Sequence, residues 1–523
     1  MTNVIAPDVG PSADVPADEE TAPAAAQLPA ARTRQWPFLS RPFLRSHRVF
    51  LVAVTLGVAL RIVTMLGYRW AMWFMDAYQY VQTAIEGGPH LVRPDGYAFF
   101  LKALMPFHRF ALVTSLQHLM GIGTAVMIYA LLWRRFNLPG WLATLAAVPV
   151  LLDAYEIQLE HMILSDTLFT FLMTALVTTT LWWKDITVTR GAALGLLLSV
   201  TALTRSIGLG LLLVMFAYLV FRRVGWRVVT VVVVTAAIPL LGYAQWFQSA
   251  HGRFALSNSD GPFLYARVMK FADCDKFSPP PTVEEIPLCI QTPPGKRLSS
   301  QFYVWGTVSP LHRLPDDIFD NRNSLLAGQF ARHAITSQPG DYLEAVAYDV
   351  ARVFEWNRHV FPDATTYNRY EFQKTSEPTP EWAKPYLAKY EPGRSTPRIV
   401  EPFAGFMHFY QKYFFLRGTL LGVILLIGLA GMARAWRRWG GPALLPMGAV
   451  AALLVAPAAT AEFDYRYVVP AIPMACLAAG LALRDLPTYR LLKLRKLGGR
   501  NDRNNRDEET VSPVAGELIP EKV

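Results

Sequence analysis

Long apolar runs, each closed on one side by a knot of basic residues, limit what this chain can become more than any other feature. The runs extend from Val49 to Leu483. Basic groups follow them at Arg134 and Arg135, at Lys184 and Arg190, at Arg222, Arg223 and Arg227, at Arg434, Arg437 and Arg438, and at Arg484. A helix needs about 20 apolar residues to cross a bilayer, and the cytoplasmic flanks of such helices collect Lys and Arg. Placing every basic knot inside threads the chain through the membrane about ten times, with both termini cytoplasmic. The expected fold class is therefore an all-α polytopic membrane protein. Of 523 residues only 17% are charged, where a soluble chain carries roughly a quarter. The net charge of +10 sits at the run ends, so it speaks for membrane orientation and not for nucleic acid.

The same pattern divides the chain. Residues 1–40, rich in Ala, Pro, Asp and Glu, read as a disordered cytoplasmic leader. Residues 41–247 form an N-terminal transmembrane module, with Arg41, Arg45 and Arg48 before its first span and a first external loop at 68–109. Residues 248–407 form an extracytoplasmic domain, mainly helical and irregular, with helices expected over 321–336 and 339–356. Residues 408–485 form a second transmembrane module, and 486–523 a basic, disordered cytoplasmic tail. The aromatic stretch 403–415 suits a membrane interface. The run 191–221 is long for one span and short for two, and Thr204, Arg205 and Ser206 interrupt it. One pass would put Arg222, Arg223 and Arg227 outside, so two short passes or a broken re-entrant pair are expected, with Arg205 at the outer turn.

Three cysteines are present. Cys274 and Cys289 lie in the long loop; exported, they can form a disulfide, and in a cytosolic loop they would be free thiols. Cys476 lies in an apolar run and reads as a buried, inert thiol.

Unusual ionisable groups gather at the external ends of the runs. Asp76 follows the first span among aromatics, where low polarity would raise its pKa and suit it to act as a general base. It would otherwise serve as the acidic N-cap of an interfacial helix. Asp153, Glu156 and Glu160 share a helix face, as a divalent-cation or acceptor site or as a solvated helix end. His161, Ser165 and Asp166 open the next run, and Asp166 needs a partner at that depth. Arg205 can grip a lipid-linked phosphate, snorkel, or pair with Asp166. Arg466 has the same choices, with Glu462 and Asp464 as local partners. His118 reads as a satisfied core residue or one facing a cavity. The sequence holds no Walker loop, no HExxH and no Cys/His cluster, so neither ATP hydrolysis nor zinc chemistry is indicated.

In layout, residues 48–485 resemble the GT-C superfamily of glycosyltransferases, in its bacterial dolichyl-phosphate-mannose-type branch. The segments that carry the resemblance are Asp76-Ala77-Tyr78-Gln79-Tyr80, Arg93-Pro94-Asp95-Gly96-Tyr97, the stretch 159–169, Ala202-Leu203-Thr204-Arg205, and Asp464-Tyr465-Arg466-Tyr467 followed by Pro470 and Pro473. The resemblance implies a bacterial cell-membrane enzyme. It would take a sugar from a polyprenyl monophosphate and give it to an extracytoplasmic glycan, lipid or protein. Asp76 would be the base, and Arg205 or Arg466 would bind the phosphate. Tyr78, Tyr80, Glu160, His161, Asp166 and Asp464 would line the cavity or acceptor site. Many relatives carry an acidic pair where this chain has Asp76 and Ala77, so a divalent cation lacks support and no cofactor is required. The rival readings are a transporter or lipid flippase, a non-catalytic scaffold, and a polymerase or ligase acting on lipid-diphosphate glycans.

Overall fold

Two changes of direction in the computed structural model decide which side chains can meet. The structure describes residues 41–393 and 397–484; the leader 1–40 and the tail 486–523 lie outside the described residues. The chain divides into compact units at Met1–Ser46 and His47–Val523, and the account below concerns the second.

The helices run in this order: α1 Arg41–Gly67, α2 Met75–Glu86, α3 Gly96–Leu104, α4 Phe110–Ala130, α5 Gly140–Leu152, α6 Ala154–His161, α7 Ser165–Trp182, α8 Val188–Thr204, α9 Gly208–Phe221 and α10 Trp226–His251. The external domain adds α11 Asp260–Val268, α12 Phe302–Trp305, α13 Asn321–Ser337, α14 Pro339–Arg352, α15 Ala364–Arg369 and α16 Lys384–Tyr390. Then come α17 Phe403–Tyr413, α18 Gly418–Arg434, α19 Leu444–Thr460, α20 Tyr465–Val468 and α21 Ala471–Arg484.

The first change of direction is a bend of 51° between α5 and α6. Asp153 causes it. Its Oδ1 accepts the N–H groups of Tyr155 (2.8 Å) and Glu156 (3.3 Å), which starts a new helix, and its Oδ2 accepts that of Leu416. The second bend, 56°, separates α17 from α18.

Among the described residues five helices are long and apolar enough to cross a membrane, or up to seven if each bent pair is one span. The apolar helices α8 and α9 have only 17 and 14 residues. The count of about ten passes expected from the basic knots is therefore not reached, because polar residues divide some apolar runs into helices shorter than a span needs. Arg205 does so between α8 and α9, where the expected interruption falls. Val52, Leu56 and Ile62 on α1, and Val233, Ile238 and Leu241 on α10, point outward, as apolar side chains facing lipid do. Small residues dominate α21, which is buried almost throughout. They let neighbouring backbones approach closely, and Gly431 of α18 packs directly on Ala482.

A two-stranded antiparallel ladder pairs β1 (Tyr68–Arg69) with β2 (Arg398–Ile399). It ties the end of α1 to the chain entering α17. In the external domain α13 ends one residue beyond the expectation. α14 stops at Arg352 and not at 356, and the carbonyls of Val353 and Glu355 beyond it pack on Gly418, where a Cβ would collide. Cys274 and Cys289 are disulfide-bonded, with Cα atoms 6.1 Å apart, and Cys476 is a buried free thiol.

Candidate active site: a chain of alternating charges

The start of α2 is fixed by backbone pairing to the α6–α7 connection. Met72 N–H donates to the His161 carbonyl (3.0 Å), and Ile163 N–H to the Met72 carbonyl (3.3 Å). Asp76 lies four residues beyond Met72 and Asp166 three beyond Ile163, so this contact brings two carboxylates to one place. The helix cap is Phe74, so Asp76 lies in the first turn of α2 and is not its N-cap.

Arg466 joins the two carboxylates. Its Nη1 donates to Asp76 Oδ2 (2.9 Å) and its Nε to Asp166 Oδ2 (3.0 Å). Arg93 Nη1 pairs with the same oxygen, Asp76 Oδ2, at 3.1 Å, and Arg205, the C-cap of α8, pairs with Asp166. The order is Arg93, Asp76, Arg466, Asp166, Arg205. Three guanidiniums alternate with two carboxylates, drawn from five segments of the chain. Arg205 also lies over the Tyr467 ring, 4.9 Å from its centroid. Arg93 lies 5.1 Å from the Tyr80 centroid, and the Tyr80 hydroxyl donates to Ser165 Oγ (3.0 Å).

The environment of Asp76 differs from the sequence expectation. Burial alone would raise its carboxyl, but the Arg93 and Arg466 guanidiniums outweigh burial and hold it well below the usual carboxylate range. Aromatic neighbours implied the opposite shift, and they do not reveal cations arriving from elsewhere in the chain.

The local partners expected for Arg466 are also corrected. Asp464 spends Oδ1 on the Arg466 backbone N–H (2.9 Å) and Oδ2 on the Tyr370 hydroxyl (2.7 Å). Glu462 accepts the N–H groups of Ser300 (2.8 Å) and Gln301 (3.0 Å). Neither pairs with the guanidinium: backbone N–H groups take both Glu462 oxygens, and a backbone N–H and the Tyr370 hydroxyl take those of Asp464.

Glu160 and His161 form a second buried set behind the first. Arg61 donates to both oxygens of Glu160, at 2.7 and 2.5 Å. His118 Nδ1 lies 2.7 Å from Glu160 Oε2, and its Nε2 lies 3.1 Å from His161 Nδ1. His161 Nε2 reaches the Tyr68 carbonyl at 2.6 Å. His118 is thus a satisfied interior residue. The solvated-helix-end reading of Asp153, Glu156 and Glu160 is overturned, since all three are buried. They also go separate ways, Asp153 to a cap and Glu160 to Arg61. Among the described residues no group of three His, Cys, Asp or Glu could hold a metal ion. Tyr78 stacks on Trp73 at 5.0 Å.

A cavity of about 130 Å³ opens on this chain of charges, lined by Phe74, Asp76, Arg93, Gln301, Asp464 and Arg466 among others. Arg205 stands behind it, beyond Asp166. Sequence reasoning gave no role to Arg93 or to Arg61. A lone arginine inside the first apolar run was the available signal for Arg61, since such a residue must find a buried partner.

The helices and this site define a multi-pass helical membrane protein with a half-buried arginine–carboxylate relay. No protein-family model matches the chain, and no curated protein does. Among solved structures it is similar to the oligosaccharyltransferase AglB of Archaeoglobus fulgidus in complex with an inhibitory peptide and a dolichol-phosphate. That match has 13% identity and a TM-score of 0.38, covering 90% of this chain and 52% of that one. The chain thus spans about half the length of the archaeal protein. It is also similar to ArnT of Cupriavidus metallidurans bound to undecaprenyl phosphate. There the identity is 13% and the TM-score 0.31, over 84% of this chain and 78% of that one.

Proposed function

We propose that this protein is a glycosyltransferase that moves a sugar from a polyprenyl monophosphate to a hydroxyl outside the cytoplasm. The observation that carries the reading is the chain of three arginines and two aspartates beside a cavity in an apolar helix bundle. Guanidiniums match phosphate oxygens in pairs, and the apolar helices suit a prenyl tail.

The chemistry balances as follows. The acceptor oxygen bonds to the anomeric carbon while the bond from that carbon to the phosphate oxygen breaks. The electron pair leaves with the phosphate, whose growing charge Arg466 and Arg205 offset. Asp76 takes the hydroxyl proton.

In the resting site Asp76 is a weak base, because two arginines hold it ionised. A bound phosphate would change that in two ways. It draws Arg466 toward itself, and its own charge repels the carboxylate. Both raise the proton affinity of Asp76. Donor binding would therefore switch the base on.

The test is sugar transfer by purified protein in detergent, from polyprenyl-phosphate sugars, with Asp76→Asn beside the wild type. Transfer by a folded Asp76→Asn variant at the wild-type rate would remove the base assignment.

A further inference from the structure

A second cavity, about 620 Å³, lies where α17 meets α18. Its charged and titratable lining is Arg358, Lys412, Arg417 and His408, against one carboxylate, Glu371. Among the described residues none of Arg358, Lys412 and Arg417 has an ion-pair partner within 4.0 Å, although buried arginines elsewhere in the protein do. Aromatic rings hold them instead. Arg358 lies 3.5 Å from the Tyr155 centroid and 5.1 Å from that of Tyr465. Arg417 lies 4.0 Å from the Phe415 centroid and donates once, to Asn357 Oδ1 at 3.1 Å. A guanidinium stacked on a ring still presents in-plane N–H donors at its edge. The cavity therefore offers preformed donors and, with three cations against Glu371, a net positive charge, a setting for an anion with several acceptor oxygens.

Its surroundings say what carries the anion. On α17 and just beyond, Phe406, Phe409, Tyr413 and Phe414 are exposed, and the apolar α18 starts beside Arg417. An aromatic helix bent 56° from an apolar one marks a bilayer interface. A charged pocket at that level meets headgroups.

We propose that this cavity binds the phosphate of an anionic membrane lipid, with Arg358 and Arg417 as its principal donors. The site differs from the Asp76 cavity but touches its frame. Tyr465, the residue before Arg466, packs under Arg358, and its hydroxyl accepts the His359 N–H at 2.8 Å. The inference does not depend on sugar transfer.

The experiment uses the full chain, delipidated in detergent, with short-chain phosphatidylglycerol and phosphatidylcholine of equal chain length as probes, read by native mass spectrometry. Phosphatidylglycerol binds in preference, and Arg417→Gln and Arg358→Gln each weaken it by about tenfold, as loss of a charge-assisted hydrogen bond should. Lys412→Glu, on an exposed side chain, weakens it without threatening the fold. The Asp76→Asn variant binds as the wild type does, so a failure of the sugar-transfer reading leaves this result in place. Equal uptake of both lipids would overturn the proposal, as would unchanged binding in Arg417→Gln and Lys412→Glu. Competition by inorganic phosphate at the same concentration as the lipid would also overturn it, reassigning the site to a free anion.

Discussion

Arg466 and Asp76 are 390 positions apart in the sequence and 2.9 Å apart in the fold. That pair closes the relay on which the proposed chemistry rests, and it sets the first prediction. Asp76→Asn should lower transfer by about 10²–10⁴-fold, the range for a lost general base. The depressed carboxyl pKa gives a stabilisation that is present above the ordinary carboxylate range and fades as pH falls through the folded value. The variant should therefore unfold at a lower temperature than wild type at pH 7, with the gap narrowing in acid. Arg93→Gln removes one of the two cations that lower Asp76, so the acid limb of the pH–rate profile should move to higher pH. An unmoved limb would detach Arg93 from the base.

Arg205→Ala should weaken donor binding by about tenfold, with less effect on folding. Arg466→Ala should cost more stability than Arg205→Ala, because it removes the guanidinium between Asp76 and Asp166 and leaves each carboxylate with a single arginine, Arg93 or Arg205. Arg466→Lys should not restore wild-type transfer, since a single ammonium cannot reproduce the two-sided fork. Donor KM and thermal unfolding, measured on the three variants, check this. Equal donor affinity in Arg205→Ala would remove its phosphate role.

The Arg61–Glu160 pair is an internal test of burial energetics. Arg61→Met or Glu160→Met alone should destabilise by about 3–5 kcal/mol, and the double variant by much less, because the single changes strand a buried charge. Thermal unfolding in detergent reads this directly. His161, which links this set to the Tyr68 carbonyl, should transmit part of the loss to transfer by loosening the start of α2.

Glu462 predicts a pH dependence of opposite sign to that of Asp76. Burial pushes its carboxyl from 4.5 up to about 7. The unfolded chain releases this proton first, so stability should fall as pH rises between those two values. Glu462→Gln should flatten the unfolding temperature over that window. A wild-type curve already flat there would contradict the shift.

Thiol reagents should reach Cys274 and Cys289 only after reduction. Cys274→Ser with Cys289→Ser should cost about 3 kcal/mol by the loop-closure estimate. Labelling of the native protein without reductant would contradict the bond.

Much of the architecture was legible residue by residue. α13 begins at Asn321, where the sequence places it, and Arg205 breaks 191–221 where the basic knots required a turn. Asp153 was seen as a carboxylate on a helix face, whereas it is the cap that bends the chain. The pairing of Arg205 with Asp166 is one of the readings the residues allow, whereas the meeting of Asp76 and Arg466 with them is implied only by the resemblance. Local spacing pointed Arg466 at Asp464 and Glu462, while its partners are 300 and 390 positions away.

By itself the sequence determined which segments are apolar and where charges interrupt them, because hydropathy and helix periodicity act over neighbouring residues. Only the tertiary structure decided which charges pair, and hence that the Asp76 carboxyl is held down and not raised. Coulombic partners are chosen by distance in space, and the nearest cation to Asp76 comes from 390 positions along the chain.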